Sequence, residues 1–204
     1  GLTGLSGMPA IRDDAVVRPL YEATRREILT YLRTAGVSYR EDSSNAKPLY
    51  LRNRIRREVI PLLTRLVPSS TTALCRLADL CRADDHYLDQ EVTVRTASAV
   101  KWDSTGAWTL DRRTLVDLPL SLQRRCLRQL LRRSDPQQRP PSFHGIERVR
   151  RLASSPESDC HVDMKVGSIV VTMQALRFIP FPAGRRYDRR HWDADAPCTP
   201  IPIP

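Results

Sequence analysis

The apolar residues of this chain recur at helical spacing along most of its length and change to short alternating runs only near its end. Between residues 18 and 152 they return every three or four positions, the period of an α-helix with one buried face. After residue 160 the pattern shortens to runs such as residues 169–172 and 175–179, which predict two or three strands. The chain is therefore predicted to be mostly α-helical, with a small β-sheet close to its C-terminus.

Proline and glycine mark the limits of the first predicted helices. Pro19 suits the first turn of a helix that ends at Gly36, because proline needs no hydrogen-bond acceptor there and glycine caps a C-terminus. A basic helix is predicted over residues 49–66. Pro61 lies inside it and is expected to bend or divide it.

The second half of the chain continues the helical pattern. A long helix is predicted over residues 70–100, followed by a short hairpin or bent loop over residues 102–110. Asp111 and Ser142 are suited to cap the N-termini of two later helices. Between those two caps, an arginine-rich helix is predicted over residues 121–133. With Arg148, Arg150 and Arg151, its arginines are expected either to line a groove for RNA or to form a solvated face.

Positive charge is the main compositional feature of the chain. Lys and Arg total 33 against 23 acids, for a net charge of +10, and only Lys47, Lys101 and Lys165 are lysines. The guanidinium fork of arginine matches phosphate oxygens and stacks on bases. We therefore expect a polyanionic partner, with nucleic acid ahead of a membrane surface. A genome rich in arginine codons is the alternative explanation.

The cysteines and the hydropathy pattern exclude several classes of protein. Five cysteines are widely spread, which argues against a disulfide framework and for a reducing compartment, so a cytoplasmic location is predicted. No CxxC pair occurs, and no metal site is predicted. No apolar run approaches the roughly 20 residues that cross a bilayer, so no membrane association is expected.

A glycine-rich segment begins the chain. Gly4, Gly7 and Met8 belong to a predicted loop whose backbone N–H groups are little shielded by side chains, which suits close approach to a phosphate or a base. A simple turn without a ligand is the alternative, and the residues alone do not separate the two.

The densest cluster of polar and basic residues lies between positions 40 and 65. Seven bases stand there against three acids, the bases being Arg40, Lys47, Arg52, Arg54, Arg56, Arg57 and Arg65. A turn containing Asp42 and Asn45 before an arginine face is suited to a phosphorylated or nucleotide ligand. In the alternative interpretation, Asp42 and Asn45 satisfy their own backbone and the arginines are a solvated helix face.

Five motifs, in order and spacing, resemble those of the tRNA(Ile)-lysidine synthetases. They are Gly4-Leu-x-Gly-Met8, Arg18-Pro-Leu20, Arg40-Glu-Asp-x-Ser-Asn45, Arg52-Asn-x-Ile-Arg56 and Pro61-Leu-Leu63. The clear resemblance covers about residues 1–90 and continues more weakly to about residue 180. The third and fourth motifs together are far more specific than any single motif.

The resemblance implies a reaction, its substrates and its partners. Enzymes of this family use ATP, with Mg²⁺, to adenylate the wobble cytidine of an isoleucine tRNA with a CAU anticodon, and lysine then displaces AMP. The parent protein is accordingly expected to be a cytoplasmic ligase that binds this tRNA, lysine and ATP, with a homodimer left open. A non-catalytic helical RNA-binding module is the alternative function.

The resemblance also implies the domains and the site. Residues 1–66 would be the C-terminal part of an α/β PP-loop catalytic domain, residues 67–182 a helical tRNA-contacting domain with the small terminal sheet, and residues 183–204 a disordered tail or linker. The implied catalytic-site residues are Asp42, Asn45, Arg52, Asn53 and Arg56. The implied nucleotide-binding residues are Gly4, Gly7 and Met8.

One family motif does not occur in the sequence. Members of the family carry a Ser-Gly-Gly-x-Asp-Ser loop that grips the pyrophosphate of ATP, and these 204 residues do not contain it. The expectation from the sequence is therefore a fragment that lacks the N-terminal PP-loop and does not make lysidine alone.

Overall fold

The computed structural model describes residues 1–12, 16–40, 50–155, 160–164, 167–181 and 199–200. The chain divides into two compact units, Gly1–Asp85 and His86–Pro204. The division falls within a long helix, whereas the sequence analysis placed the domain boundary after Leu66. Most described residues are helical, as predicted.

The first unit is built from helices and one two-stranded ribbon. Its elements are α1 (Leu2–Leu5), β1 (Ile11–Arg12), β2 (Val16–Val17), α2 (Arg25–Thr34), α3 (Leu51–Arg54), a π-helical segment (Ile55–Val59), α4 (Ile60–Leu66) and the first part of α5 (Ser70–Thr96). The strands β1 and β2 are antiparallel. The predicted glycine loop is thus partly helical, since α1 occupies its first residues.

Helix α2 begins later than the sequence analysis placed it. Pro19 lies in a turn, and the helix starts after Thr24. The Thr24 hydroxyl accepts a hydrogen bond from the N–H of Glu27, whose carboxylate accepts one from the N–H of Thr24. This reciprocal pair satisfies two N–H groups that have no partner inside the helix, so it marks the start more strongly than Pro19 does. Gly36, with φ of 65°, follows the helix end as predicted.

Pro61 does not divide the basic helix. The chain stays helical from Leu51 to Leu66, with the π-helical segment directly before α4. Proline lacks an N–H and crowds the carbonyl four residues earlier. The helix accommodates it by widening, and the N–H of Ile60 donates to the carbonyl of Ile55, five residues before it.

The second unit places three helices against one sheet. Its elements after α5 are β3 (Val100–Trp102), β4 (Trp108–Asp111), α6 (Arg112–Asp117), α7 (Leu120–Ser134), α8 (Phe143–Ser154), β5 (Cys160–Met164), β6 (Gly167–Val171), β7 (Ala175–Pro180) and β8 (Thr199–Pro200). Both predicted caps are confirmed. The Asp111 carboxylate accepts from the N–H of Thr114 at 2.7 Å, and the Ser142 hydroxyl accepts from the N–H of Gly145 at 3.1 Å.

The sheet is larger than the sequence predicted. Its order is β3-β4-β7-β6-β5-β8, and each neighbouring pair is antiparallel. The hairpin β3–β4 joins it because Leu110 pairs with Leu176, a contact between distant parts of the chain. Thr199 and Pro200, from the predicted tail, form β8 beside β5. The other residues of the predicted tail, 183–198 and 201–204, lie outside the described residues, so the prediction of a disordered tail or linker stays a prediction for them.

The core of the second unit lies between one face of the sheet and the helices. Trp108 and Phe178 are fully buried and stack with their ring centroids 5.7 Å apart. Leu127 of α7 and Val149 of α8 are buried in the same cluster. Gly167 is required at its position, because a Cβ there would lie 2.3 Å from the carbonyl oxygen of Ile179.

Candidate functional site

The glycine-rich segment of the first unit combines a helical turn with an open backbone. The N–H of Gly4 donates to the carbonyl of Gly1 at 2.9 Å and is therefore committed to α1. Gly7 has a φ of 68°, which disfavours a side chain there. An added Cβ would meet nothing within 4 Å at Gly4 or at Gly7, and Met8 is half exposed. Within the part of the chain that is described, the N–H groups of Gly7 and Met8 have no backbone partner.

Helix α5 holds this segment in place. Arg82 donates to the carbonyl of Ser6 and to the hydroxyl of Tyr21, both at 2.7 Å. The hydroxyl of Thr3 donates to the carboxylate of Asp85, which is buried, at 3.0 Å. The glycine-rich segment is thus fixed by side chains about 80 positions away. No local pattern in the sequence could have indicated these contacts of Arg82 and Asp85.

The predicted arginine face of residues 52–57 separates into two groups. Arg52 and Arg56 are exposed, and among the described residues they form no side-chain hydrogen bond or ion pair. Arg54 pairs with Glu58 at 3.5 Å, and Arg57 also has a partner. Asn53 is half-buried and engaged. Two of the four arginines on this face are therefore available to a ligand.

Two of the eight predicted site residues, Asp42 and Asn45, lie outside the described residues and cannot be compared with the fold. Of the remaining six, Arg52, Asn53 and Arg56 share one helical segment, whereas Gly4, Gly7 and Met8 lie on α1 and the turn that follows it.

The arginines of α7 and α8 in the second unit are largely committed to ion pairs. Arg124 donates two hydrogen bonds to Glu147, at 2.7 and 3.2 Å, and Arg150 donates to the same carboxylate at 3.2 Å. Hydrogen bonds from Arg124, and then from Arg150, lower the pKa of Glu147 to about 2, against the opposing effect of its burial. This carboxylate stays ionised and holds α7 against α8.

A second ion pair involves a buried arginine. Arg125 is only 7% exposed and contacts Asp89 of α5 at 2.6 Å, and Gln129 donates to the same carboxylate at 2.9 Å. Arg133 lies over the ring of Trp102, 4.6 Å from its centroid. The interpretation of the whole arginine cluster as one groove lining is therefore too broad. The exposed arginines without a partner in the described part of these two helices are Arg132 and Arg151.

Among the described residues, the cysteines and the potential metal ligands add little to the site. Cys75, Cys81 and Cys126 are free, and burial raises the pKa of Cys126 to about 12, so it is not a nucleophile at neutral pH. Cys160 is disulfide-bonded, so the cysteines are not all free thiols. No group of three or more potential metal ligands occurs among the described residues.

No helix in the described part of the chain is both long enough and apolar enough to cross a bilayer.

Two family models match separate parts of the chain. Residues 1–63 match the model described as "PP-loop domain", and residues 110–177 match the model described as "TilS substrate binding domain". The first match lies in the unit with the glycine-rich segment and the Arg52–Arg56 face. The second runs from the end of β4 into β7 and includes α6, α7 and α8.

Several curated relatives are similar over much of the chain. A tRNA(Ile)-lysidine synthase of Symbiobacterium thermophilum is 35% identical over 177 residues, which is 82% of this chain and 36% of the relative. One of Nostoc sp. is 32% identical over 76% of this chain and 50% of the relative. One of Porphyromonas gingivalis is 49% identical over 37% of this chain and 17% of the relative. The chain spans at most about half the length of these relatives.

The comparison corrects one expectation from the sequence. The prediction that the chain lacks the N-terminal PP-loop is wrong at the level of the domain, since the PP-loop domain model matches from residue 1. The Ser-Gly-Gly-x-Asp-Ser motif is still not among the 204 residues. A domain is identified by the pattern along its whole match, and one short motif does not decide whether it is present.

Proposed function

The two family models and the relatives support placing this chain in the tRNA(Ile)-lysidine synthase family, and from that premise we propose that it is part of the ligase that forms lysidine. In this reaction ATP adenylates the wobble cytidine of isoleucine tRNA, and lysine displaces AMP. The observation that carries the proposal is the pairing, in one chain, of a PP-loop match at residues 1–63 with a substrate-binding-domain match at residues 110–177.

The first unit is the part we assign to the nucleotide. The space beside Gly4 and Gly7 is open, and the free N–H groups of Gly7 and Met8 are donors of the kind that phosphate oxygens accept. Because the N–H of Gly4 is already bonded, Gly7 and Met8 would make the backbone contacts. These features fit ATP at the edge of the site, and Mg²⁺ would accompany its phosphates.

Arg52 and Arg56 are the side chains we assign to charge neutralisation. Both are exposed and unpaired within the described residues, so neither must break an ion pair to bind a phosphate. Arg54 is held by Glu58, which makes it a weaker candidate. Asn53, Asp42 and Asn45 remain proposed site residues on the motif resemblance alone.

The remaining assignments follow from the family. The substrates would be lysine and an isoleucine tRNA with a CAU anticodon, in the cytoplasm, and a homodimer is compatible with the family. Residues 1–66 would be the later part of an α/β catalytic domain and residues 67–182 the helical tRNA-contacting domain. Arg132 and Arg151 are the exposed arginines on α7 and α8 that we assign to tRNA phosphates.

Removing both free arginines tests the catalytic assignment. In the protein expressed from the complete gene, Arg52→Ala with Arg56→Ala should lower the rate of lysidine formation at least about tenfold, because two charge-assisted contacts to phosphate are lost. The matched control is Arg26→Ala with Arg33→Ala, two exposed arginines of α2 to which no role is assigned. Circular dichroism should show the same helix content in both variants.

The possible results of this experiment distinguish a catalytic role of Arg52 and Arg56 from a solvated face, and a ligase from an RNA-binding module. Equal rates for the two double variants would remove Arg52 and Arg56 from the site and leave them as a solvated face. A wild-type protein that binds tRNA but never forms lysidine with ATP and lysine would overturn the ligase proposal in favour of a non-catalytic RNA-binding module.

A further inference from the structure

A row of polar side chains crosses the outer face of the six-stranded sheet, opposite the packed core. Lys101 of β3 pairs with Thr109 of β4, and Thr109 pairs with Arg177 of β7. Side chains of directly paired residues point to the same face of a sheet. Their neighbours Trp108, Leu110, Leu176 and Phe178 are buried, so the row faces away from the core.

The spacing of this row suits one phosphate group. Neighbouring strands lie about 4.8 Å apart, which places the backbones of Lys101 and Arg177 about 10 Å apart with Thr109 between them. Both cations have long side chains that can converge on one anion above the Thr109 hydroxyl. A cavity of about 360 Å³ occupies this position and is lined by these three residues together with Trp102, Asp103, Ala107, Thr172 and Ala175.

The two cations of this row, Lys101 and Arg177, are not held by ion pairs within the described part of the protein. Lys101 and Arg177 are exposed and form no side-chain hydrogen bond or ion pair with any described residue. Arg124, Arg125 and Arg150, in contrast, are held by carboxylates. The described part of the second unit therefore separates arginines that stabilise it from cations that remain free for a ligand.

The carboxylate of Asp103 also lines the cavity, and it already accepts hydrogen bonds from neighbouring residues of its own turn. Asp103 accepts from the N–H and hydroxyl of Thr105 and from the N–H of Ala107, at 2.6 to 3.0 Å. The Thr105 hydroxyl contributes most to lowering the pKa of Asp103, and the charge of Arg177 contributes least. Asp103 thus serves the β3–β4 turn, and the two cations outnumber it.

We propose that Lys101, Thr109 and Arg177 form a phosphate-binding site on the outer face of this sheet, and that its ligand is a phosphodiester of the RNA backbone. The ligand assignment rests on the proposed tRNA substrate. The site would give the second unit a contact with RNA that is separate from the arginines of α7 and α8.

The test compares two double variants of the 204-residue chain in tRNA binding. Lys101→Gln with Arg177→Gln should weaken binding and make the plot of log K against log salt shallower by about 0.8, because the contact with one phosphate is lost. Arg26→Gln with Arg33→Gln removes the same charge from α2 and should leave both quantities near wild type. Thr109→Glu, which places a carboxylate between the cations, should weaken binding without removing either of them.

A second measurement identifies the ligand directly. In NMR titrations of the wild-type chain, a short single-stranded RNA should shift the backbone amides of residues 101, 109 and 177, and Lys101→Gln with Arg177→Gln should abolish these shifts. Inorganic phosphate is titrated in parallel. Shifts with phosphate and none with RNA would support an anion site and overturn the RNA assignment.

The remaining outcomes distinguish this proposal from the proposed function. If wild type binds tRNA and the Lys101/Arg177 variant binds equally well, the sheet site is wrong while the tRNA role stands. If wild type does not bind tRNA, the tRNA role of this chain fails, and the phosphate titration alone decides whether the anion site exists. No shift with either titrant overturns the site. Near-ultraviolet circular dichroism of the Trp108–Phe178 stack checks that each variant is folded.

Discussion

Glu147 is the acidic residue on which the helices of the second unit depend. Its side chain is 10% exposed and receives hydrogen bonds from Arg124 of α7 and Arg150 of α8. Removing one member of a buried ion pair costs more than the pair contributes, because the remaining charge stays desolvated. This residue therefore stabilises the packing of α7 against α8.

Glu147→Gln should lower the free energy of unfolding by about 1–3 kcal/mol at pH 7, because charge-assisted hydrogen bonds are replaced by neutral ones. Urea denaturation of the chain measures this. Glu91→Gln is the matched control, since Glu91 pairs with Arg95 on a more exposed part of α5, and its loss should cost less than about 1 kcal/mol. Equal effects of the two variants would contradict the structural role of Glu147.

The same carboxylate predicts how stability changes with pH. The pKa of Glu147 falls from 4.5 to about 2 in the folded protein, so its contribution is complete above pH 4.5 and is lost as the pH falls toward 2. The difference in unfolding free energy between wild type and Glu147→Gln should accordingly close over that interval. A difference that is constant from pH 6 to pH 2.5 would show that Glu147 does not titrate as the structure implies.

At the scale of elements, Arg112 joins three segments of the second unit. It is the first residue of α6, and its guanidinium donates to the carbonyls of Ala153 at 2.8 Å, Thr172 at 3.1 Å and Ser155. Ala153 and Ser155 lie at the end of α8, where carbonyls have no partner within the helix, and Thr172 lies between β6 and β7. One side chain thus satisfies the end of a helix and ties it to a turn of the sheet.

Arg112→Gln should destabilise the second unit by about 1–3 kcal/mol, since several half-buried carbonyls lose their donor together. Arg113→Gln is the control, because the neighbouring Arg113 is exposed and its replacement should change stability by less than about 0.5 kcal/mol. Thermal unfolding followed by tryptophan fluorescence, which reports on buried Trp108, measures both. Equal melting temperatures would mean that the carbonyls are satisfied in another way.

The π-helical segment Ile55–Val59 is a second element whose geometry has an identifiable cause. It precedes Pro61 and contains Arg56, so the proline sets the local helix geometry at a proposed site residue. Such π-helical segments are frequent at functional sites. Pro61 therefore widens the helix and does not break it.

For the whole molecule, the charge of +10 overstates what is available to a polyanion. Several arginines of the second unit are neutralised by Glu147, Asp89 and Asp135. Contacts with the phosphates of the proposed RNA partner would come from cations without such partners. Counting arginines in the sequence therefore gives an upper limit to the electrostatic contact with RNA.

The salt dependence of tRNA binding by the chain measures that contact. A plot of log K against log salt should have a slope of roughly −3 or steeper, equivalent to three or more phosphate contacts. A tRNA of another identity should give a similar slope, because phosphate contacts do not report base sequence. A slope near zero would contradict the electrostatic part of the proposed function.

The family resemblance and most of the helices could be predicted from the sequence because their signals are local. The motifs from Gly4 to Leu63 lie in short segments, and the helical period of Leu122–Leu131 repeats every few residues. The caps at Asp111 and Ser142 involve residues three positions apart. The start of α2 is also encoded locally, in the reciprocal hydrogen bonds of Thr24 and Glu27, although Pro19 five residues earlier is an equally familiar helix-start signal.

The sequence alone is enough to establish the helical character of the chain, its positive charge and the motifs that relate it to a family, since each depends on neighbouring residues. Which cations are free depends instead on contacts made in the folded chain. Arg125 and Arg132 look alike in the sequence, but Asp89 neutralises the first, and the second is exposed. Likewise, Lys101 and Arg177 come together only because β4 pairs with both β3 and β7. Contacts between residues far apart in the chain leave no local pattern, so they become visible only once the chain has folded.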